Sequence, residues 1–521
     1  MTEDPTLVAP LAILVGAPFV AALLLVLMPS RWRLMTRLVS LAGALVSLAL
    51  SVRVALAYDL RAGGFQLEES YPVVPSLGIE LTLALDGWGV SLLLLTGLII
   101  VAGVLATWTL RERDQEFYIL LLVLVAGVFG VFVCQDLFLF FLFYEIAVLP
   151  MYILIGIWGS PGKVEARGPF RFVWKILDVG GREYAAMKLT LMLLVGSALI
   201  LVVMLTLYFE AGGESFDLGY LEGHGFTRQV QLWAFPLCWL GFGSLAGVFP
   251  FHTWSPDGHA AAPTAVSMLH AGVLMKLGAF GVIRVGMVLM PEGAAAWAPI
   301  VGAVAVVNIV YGALAAMGQK DLKYIVAYSS VSHMGVVMLG AATLTIDGWN
   351  GAIYQMFAHG MMTGLFFALV GLVYERAHTR QLPEMGGFAK RTPGLAVFFT
   401  LACLSSLGLP GTAGFIAELL VFLGAWQSAH SWWAIPGILG AFVTAVYVLR
   451  ASKTIFWGPG PAPEHETIED ARGVEWLALW ILGAAILLFG LWPSLVLDFI
   501  DVATSEKLPK LLGALAPLGG H

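Results

Sequence analysis

The stretch 250–281, PFHTWSPDGHAAAPTAVSMLHAGVLMKLGAFG, decides the fold. It follows an apolar run broken around Gly247, Pro250 and Pro256. It then crosses a short polar turn holding His252, Asp257 and His259, and enters an apolar helix with one lysine, Lys276, near its middle. A lysine at the centre of a membrane helix costs roughly 2.5–3.5 kcal/mol on insertion scales, and such a residue is a functional candidate by default. Lys276 lies about twelve residues inside its span, roughly 18 Å at 1.5 Å per residue. That is deep for a side chain that snorkels to the surface.

Composition agrees with a membrane reading. The chain has 521 residues, 59% hydrophobic and 12% charged, and its apolar runs recur at the length of about 20 residues that spans a bilayer. Hydropathy read in 19-residue windows places about fourteen spans, near 7–29, 35–57, 88–110, 116–134, 137–158, 186–209, 230–249, 264–286, 297–317, 323–344, 350–374, 395–425, 433–456 and 475–498. With the N-terminus outside, 20 of the 27 Lys and Arg fall in inner loops or at inner span ends. The positive-inside rule therefore favours both termini outside. The first apolar run, Leu7 to Met28, is long enough to span and lacks a basic n-region, so it reads as a span and not as a cleaved signal. Cys134, Cys238 and Cys403 sit singly in apolar runs and read as small core residues. No GxGxxG, Walker loop or cysteine cluster occurs, which argues against nucleotide or redox chemistry in this chain.

The valines and alternation of loop 59–87 suggest a short hairpin or extended segment on the outer face, loop 159–185 is basic and inner, and 458–473 is a polar linker. Two spans are interrupted by Gly and Pro: the seventh at Leu245–Phe251, and the twelfth at Ser406–Phe415. Each break falls in the fourth helix of a five-helix unit. Paired broken helices point to an inverted-repeat architecture, and a break is tolerated only where it packs in protein or lines a wet cavity. The expected division is 1–115 for helices one to three with the outer loop, 116–286 and 297–457 for two repeats, and 458–521 for the linker, last helix and tail.

Five ionisable residues inside spans stand out: Glu145, Lys276, His333, His359 and Glu418. Each can take or give a proton, and burial brings charged and neutral forms closer in energy at neutral pH. Proton or cation transfer explains this set best. A buried histidine bonded to a backbone carbonyl is a common structural alternative for His333 and His359, and His270 is weaker still as a functional candidate. A metal at His252, Asp257 and His259 is disfavoured, because Pro256 intervenes and only Asp257 joins the two histidines.

At these residues the chain resembles a known family, the antiporter-like subunits of respiratory complex I, in particular the subunit M (chain 4) type of NADH:quinone oxidoreductase. The similar segments are FQLEESYPVVPSLGIELTLALDGWG, YEIAVLPMYILIGIWG, FPFHTWSPDGHAAAPTAVSMLHAGVLMKLGAFG, QKDLKYIVAYSSVSHMG and GLPGTAGFIAELLVF, spread over almost the whole chain. Subunits L and N, Mrp-type antiporters and membrane-bound hydrogenases share the HTWxPDAH-like turn; the run EIAVLPMYILIGIWG and Glu418 point to M. The resemblance implies fourteen helices with two inverted five-helix repeats. It makes Glu145 the fifth-helix glutamate, Lys276 the connecting lysine, His333 and His359 the central histidines, and Glu418 the terminal glutamate. It further implies proton movement driven by quinone reduction elsewhere, with quinone, FMN and iron–sulfur clusters in partner subunits. L- and N-type neighbours and a bacterial-type inner membrane complete the expectation.

Two departures stand out. The family's seventh-helix lysine aligns with Leu245, and no Lys, Arg or His occurs between Gln229 and Phe251. An insert around Pro161–Arg182 lengthens an inner loop. A structural subunit with impaired pumping, or an Mrp-type cation/proton antiporter subunit, are the competing readings. Without a lysine at 245, Lys188 and Lys276 are the cations that topology could bring to Glu145.

Overall fold

The computed structural model describes residues 9–161, 181–459, 465 and 467–515. Among them thirteen helices are long and apolar enough to cross a membrane, and the shorter apolar pair Pro393–Ser406 and Ala413–Gln427 makes one further, broken crossing. In chain order the helices are α1 (Pro10–Leu27), α2 (Arg33–Ala57), α3 (Gly87–Ala106), α4 (Asp114–Val133), α5 (Leu137–Trp158), α6 (Gly181–Glu210) and the short α7 (Leu218–His224). Then come α8 (Arg228–Ala246), α9 (Trp254–Ala261), α10 (Thr264–Met287), α11 (Pro291–Gly318), α12 (Leu322–Ala342) and α13 (Ile346–Ala377). The last are α14 (Pro393–Ser406), α15 (Ala413–Gln427), α16 (Ala434–Phe456), α17 (Val474–Leu491) and α18 (Ser494–Leu515). Of the insert Pro161–Arg182, residues 162–180 fall outside the described residues, as do 460–464 and 466 of the 458–473 linker.

Helices suit a chain this apolar because each satisfies its backbone within one segment. The most apolar windows of α10 and α13 are wholly enclosed by other helices, whereas those of α2, α6 and α17 are 39% buried and turn apolar faces such as Leu56 outward to lipid. The polar residues of the sequence therefore collect on the two enclosed helices and on their neighbour α12.

The expected hairpin is present. Strands β1 (Gln66–Val74) and β2 (Ile79–Leu85) pair antiparallel, with Ser70 opposite Thr82. The Glu69 carboxylate accepts from the backbone N–H of Leu11 and Ala12 at 2.7 and 3.1 Å. It thus satisfies free donors at the start of α1, where the helix dipole favours an anion. The helix α18 lies on the same side: Trp88 Nε1 donates to Thr504 at 3.0 Å, and Asn350 Nδ2 to Asp501 at 2.6 Å. The first and last described helices thus meet on one hairpin face. The opposite face carries Lys390, Arg391, Arg450 and Lys453 and is termed the basic face.

Candidate functional site: a buried polar line

The first break positions one end of the line. Helix α8 stops at Ala246, and Gly247 takes a left-handed φ of 75° that L side chains rarely adopt. Asn308 holds the opened backbone: its Oδ1 accepts from Phe249 N–H at 2.8 Å and its Nδ2 donates to the Val331 carbonyl at 2.9 Å. The segment that follows corrects the sequence reading. His252 lies on a 3-10 turn, Phe251–Thr253, but Asp257 and His259 lie on the helix α9 into which it runs. Pro256 does not end this helix, because a proline in the first turn removes a donor that has no intrahelical partner. Lys323 Nζ donates to the Ala262 carbonyl at 2.6 Å and Arg380 Nη1 to the Ala260 carbonyl at 2.7 Å. Both cations thus stabilise the carbonyl-rich end of α9.

Asp257 accepts from Lys188 Nζ at 2.7 Å and from Tyr324 at 2.9 Å, on the basic-face side. Lys188 is therefore committed to Asp257 and does not serve Glu145. Deeper in, His252, His259 and His270 are buried, and none of their ring nitrogens has a protein partner. The His259 and His270 rings are 4.3 Å apart, and His270 stacks on Trp254 at 5.0 Å. A buried polar atom without a partner is costly unless water reaches it. These nitrogens form a run of unpartnered polar atoms between Asp257 and the centre. Among the described residues no cluster of three or more His, Cys, Asp or Glu fits a metal ion.

Helix α10 is irregular where it matters. Residues His270–Leu274 and Val282–Met287 are π-helical, and such bulges recur at functional sites. Lys276 lies between them, fully buried. Its Nζ bonds the Ala271 carbonyl and lies 2.7 Å from His359 Nδ1 on α13. The two helices can approach this closely because glycines face each other: a Cβ on Gly360 would lie 2.6 Å from the Gly272 carbonyl oxygen.

From His359 the line continues. The His359 and His333 rings are 5.1 Å apart. His333 Nδ1 faces the Ser329 carbonyl at 2.8 Å, and Nε2 faces the Ser406 carbonyl at 3.1 Å. Either ring nitrogen can therefore carry a proton and find an acceptor. His333 Nε2 is 3.7 Å from Glu418 Oε1. The second break builds this end. Helix α14 stops at Ser406, which leaves its carbonyl free for His333, and the chain resumes as α15 at Ala413. Gly408, at φ 70°, lets the Glu418 carboxyl close in: a Cβ there would lie 2.7 Å from Glu418 Oε2.

The structure thus brings together four of the five residues singled out from the sequence: Lys276, His359, His333 and Glu418. Glu145 stands apart. It is partly exposed on α5, accepts from Ser197 on α6, and no cation pairs with it among the described residues. Leu245 is fully buried at the end of α8. The role of Lys323 was not legible in the sequence, since a lysine at a helix start reads as an interfacial anchor. The pairing of His259 with His270 was not legible either. Their spacing of eleven residues across a proline gives no periodicity that would place two rings together.

Comparison with known proteins follows this geometry. Residues 169–444 match the family model described as NADH:quinone oxidoreductase/Mrp antiporter, TM. The chain is 38% identical over 516 residues to NAD(P)H-quinone oxidoreductase chain 4 1 of Synechococcus sp. (strain JA-3-3Ab), covering 97% of this chain and 94% of that one. It is 36% identical over 520 residues to NAD(P)H-quinone oxidoreductase chain 4 2 of Thermosynechococcus vestitus, covering 98% and 94%. Among solved structures, a chain of respiratory complex I from Thermus thermophilus superimposes with a TM-score of 0.84 at 29% identity, over 96% of this chain and 99% of that one. A chain of the Mrp complex from Dietzia sp. DQ12-45-1b gives 0.83 at 21% identity, over 97% and 98%, which speaks for the shared fold alone.

Proposed function

This chain belongs to the NADH:quinone oxidoreductase/Mrp antiporter family of membrane subunits, and we propose that it moves protons along the buried line from Asp257 through Lys276, His359 and His333 to Glu418. It is a multi-pass, proton-translocating subunit of a complex I-type quinone oxidoreductase. The observation that carries the path is the run of short contacts between titratable side chains inside a lipid-excluded core. An ionisable group at this depth is stable only with partners or water. Here each partner is itself a proton donor or acceptor.

In this reading Lys276 is the central station. Its bond to His359 sets which imidazole nitrogen can receive a proton. His333 passes the proton on between two carbonyls, and Glu418 holds it at the second break. Residues 116–286 and 297–457 act as the two inverted repeats, the first giving access to the basic face through Asp257 and the second to the hairpin face through Glu418. The basic face is the cytoplasmic one, because it holds most of the Lys and Arg, so the termini lie outside. Quinone, flavin and iron–sulfur chemistry belongs to partner subunits. The three cysteines here are buried far apart in sequence and offer no cluster ligand set. L- and N-type subunits are the neighbours, and the partly exposed Glu145 on α5 faces one of them.

One observation favours a second reading, a structural role with impaired pumping: Glu145 lacks a cation and does not join the line. The discriminating experiment is to purify the complete complex carrying Lys276→Met or Glu418→Gln and measure protons moved per electron in vesicles. Assembled complex with lowered turnover and lowered pumping supports transport through this chain. Unchanged rate and stoichiometry in both variants supports the structural role.

A further inference from the structure

Lys276 has opposite surroundings on its two sides. Towards the basic face lie His270 and His259 with unpartnered nitrogens, then Asp257, Lys188 and Tyr324. Towards the hairpin face, Leu277–Ile283 are buried and carry no titratable group. In that stretch the Phe280 ring packs against Phe132 at 5.4 Å and Phe140 at 6.4 Å. Arg284 then follows, two turns or about 12 Å beyond Lys276.

Arg284 is enclosed. Its Nη2 donates to Asp86 Oδ2 at 2.6 Å, and the two side chains are 3% and 2% exposed. The guanidinium lies 5.0 Å from the Phe280 ring, 5.1 Å from Trp88 and 5.2 Å from Phe65. Its Nε and Nη1 have no hydrogen-bond partner. A second cation joins from α18: Lys507 Nζ sits 4.4 Å over Phe65 and 6.0 Å from Trp88. Glu222, Glu506 and Tyr58 are the other titratable groups that act on this cluster. Burial pushes the Asp86 carboxyl up, but Arg284 and Lys507 outweigh it and hold the group below the usual carboxylate range. Two cations and one carboxylate thus lie among aromatic rings, with Arg284 permanently charged.

A buried pair so costly to desolvate is weak evidence for stability alone. A fixed arginine in a low-dielectric surrounding repels protons and other cations that approach it. We propose that Arg284, supported by Lys507, is an electrostatic barrier that keeps the proton held at Lys276 from escaping directly to the hairpin face. A station open to both faces would short-circuit the gradient. The barrier leaves the route through His359, His333 and Glu418 as the way out.

The inference rests on Lys276 being a proton station, and the two fail separately because the barrier is read without electron donor. Purified complete complex is reconstituted in vesicles with a pH-sensitive dye inside, the potential is clamped with potassium and valinomycin, and passive proton flux is recorded. Arg284→Gln is expected to raise the flux at least threefold, Arg284→Lys to stay at the parent level, and Asp86→Asn, which leaves the cations and keeps a capping side chain, to stay at or below it. Equal leak in Arg284→Gln and Asp86→Asn, or a tight Arg284→Gln with merely lower thermal stability, overturns the barrier and leaves a structural clasp. If Arg284→Gln does not assemble, Lys507→Met decides: increased flux supports the proposal and parent-level flux overturns it.

Discussion

His333 and Glu418 meet across the break between α14 and α15, with Nε2 3.7 Å from Oε1 and the Ser406 carbonyl 3.1 Å from the same nitrogen. The helix stops where the histidine needs an acceptor, so the break and the proposed proton site are one feature. Glu418→Gln keeps the size and the hydrogen-bonding capacity but cannot ionise. We expect turnover and pumping to fall together by several-fold, with assembly retained. His333→Gln should do the same. Either variant pumping at the parent rate and stoichiometry removes that residue from the path.

The approach of α10 to α13 sets the bond from Lys276 to His359. Gly360→Ala forces its new Cβ against the Gly272 carbonyl at 2.6 Å and against Leu95. Overpacking of this kind costs about 1–3 kcal/mol. The helices must part, and the 2.7 Å contact between Lys276 and His359 is the first to lengthen. The expected outcome is a lower melting temperature together with lower pumping per electron. Gly223→Ala, where nothing lies within 4 Å, is the matched control and should leave both unchanged. Parent-like pumping in Gly360→Ala would falsify the dependence on this spacing.

Much of this is legible in the sequence. Apolar length gave the crossings, and Gly–Pro interruptions gave both breaks, because a broken membrane helix needs residues that tolerate left-handed φ. The cost of burying charge pointed to Lys276 and Glu418. What stayed hidden depends on three-dimensional neighbours. A polar segment with a proline reads locally as a turn, yet 254–261 is helical because Lys323 and Arg380 hold its carbonyl end. Arg284 counts in the sequence as one more outer arginine; only packing shows it sealed with Asp86 and three rings. Topology left Lys188 open as a partner of Glu145, but Asp257 takes it.

Asp136 supplies a test of pH dependence outside the spans. It caps α5, accepting from Leu139 N–H at 2.9 Å and from Glu80 N–H at 3.2 Å. Burial pushes its carboxyl up from 3.8 to about 6, against the backbone donors that pull it down. A carboxyl raised in the folded state contributes stability that is present below its unfolded value and lost as pH rises through the folded one. The window here runs from about 4 to about 6. Asp136→Asn keeps the cap without the charge. It should melt above the parent at pH 8, and the difference should vanish near pH 4. A parent that gains on the variant above pH 6 contradicts the assignment.

The last test concerns the lysine missing from the seventh helix. In this chain Glu145 meets Ser197, Leu245 is buried, and no cation pairs with the glutamate among the described residues. The contact line through Lys276 does not include it. A glutamine at 145 can still accept from Ser197, and no ion pair is broken by making it. Glu145→Gln is therefore expected to lower pumping less than Lys276→Met does, because the bond from Ser197 can persist. Leu245→Lys in a Glu145→Gln background would bury an unpaired cation. With Glu145 present it is expected to gain a partner, so its cost in thermal stability should be smaller in the parent background than in Glu145→Gln. A double-mutant cycle on the purified complex reads this coupling directly. A coupling of zero means that position 245 does not face Glu145. In that case the glutamate serves the neighbouring subunit and not this chain's own break.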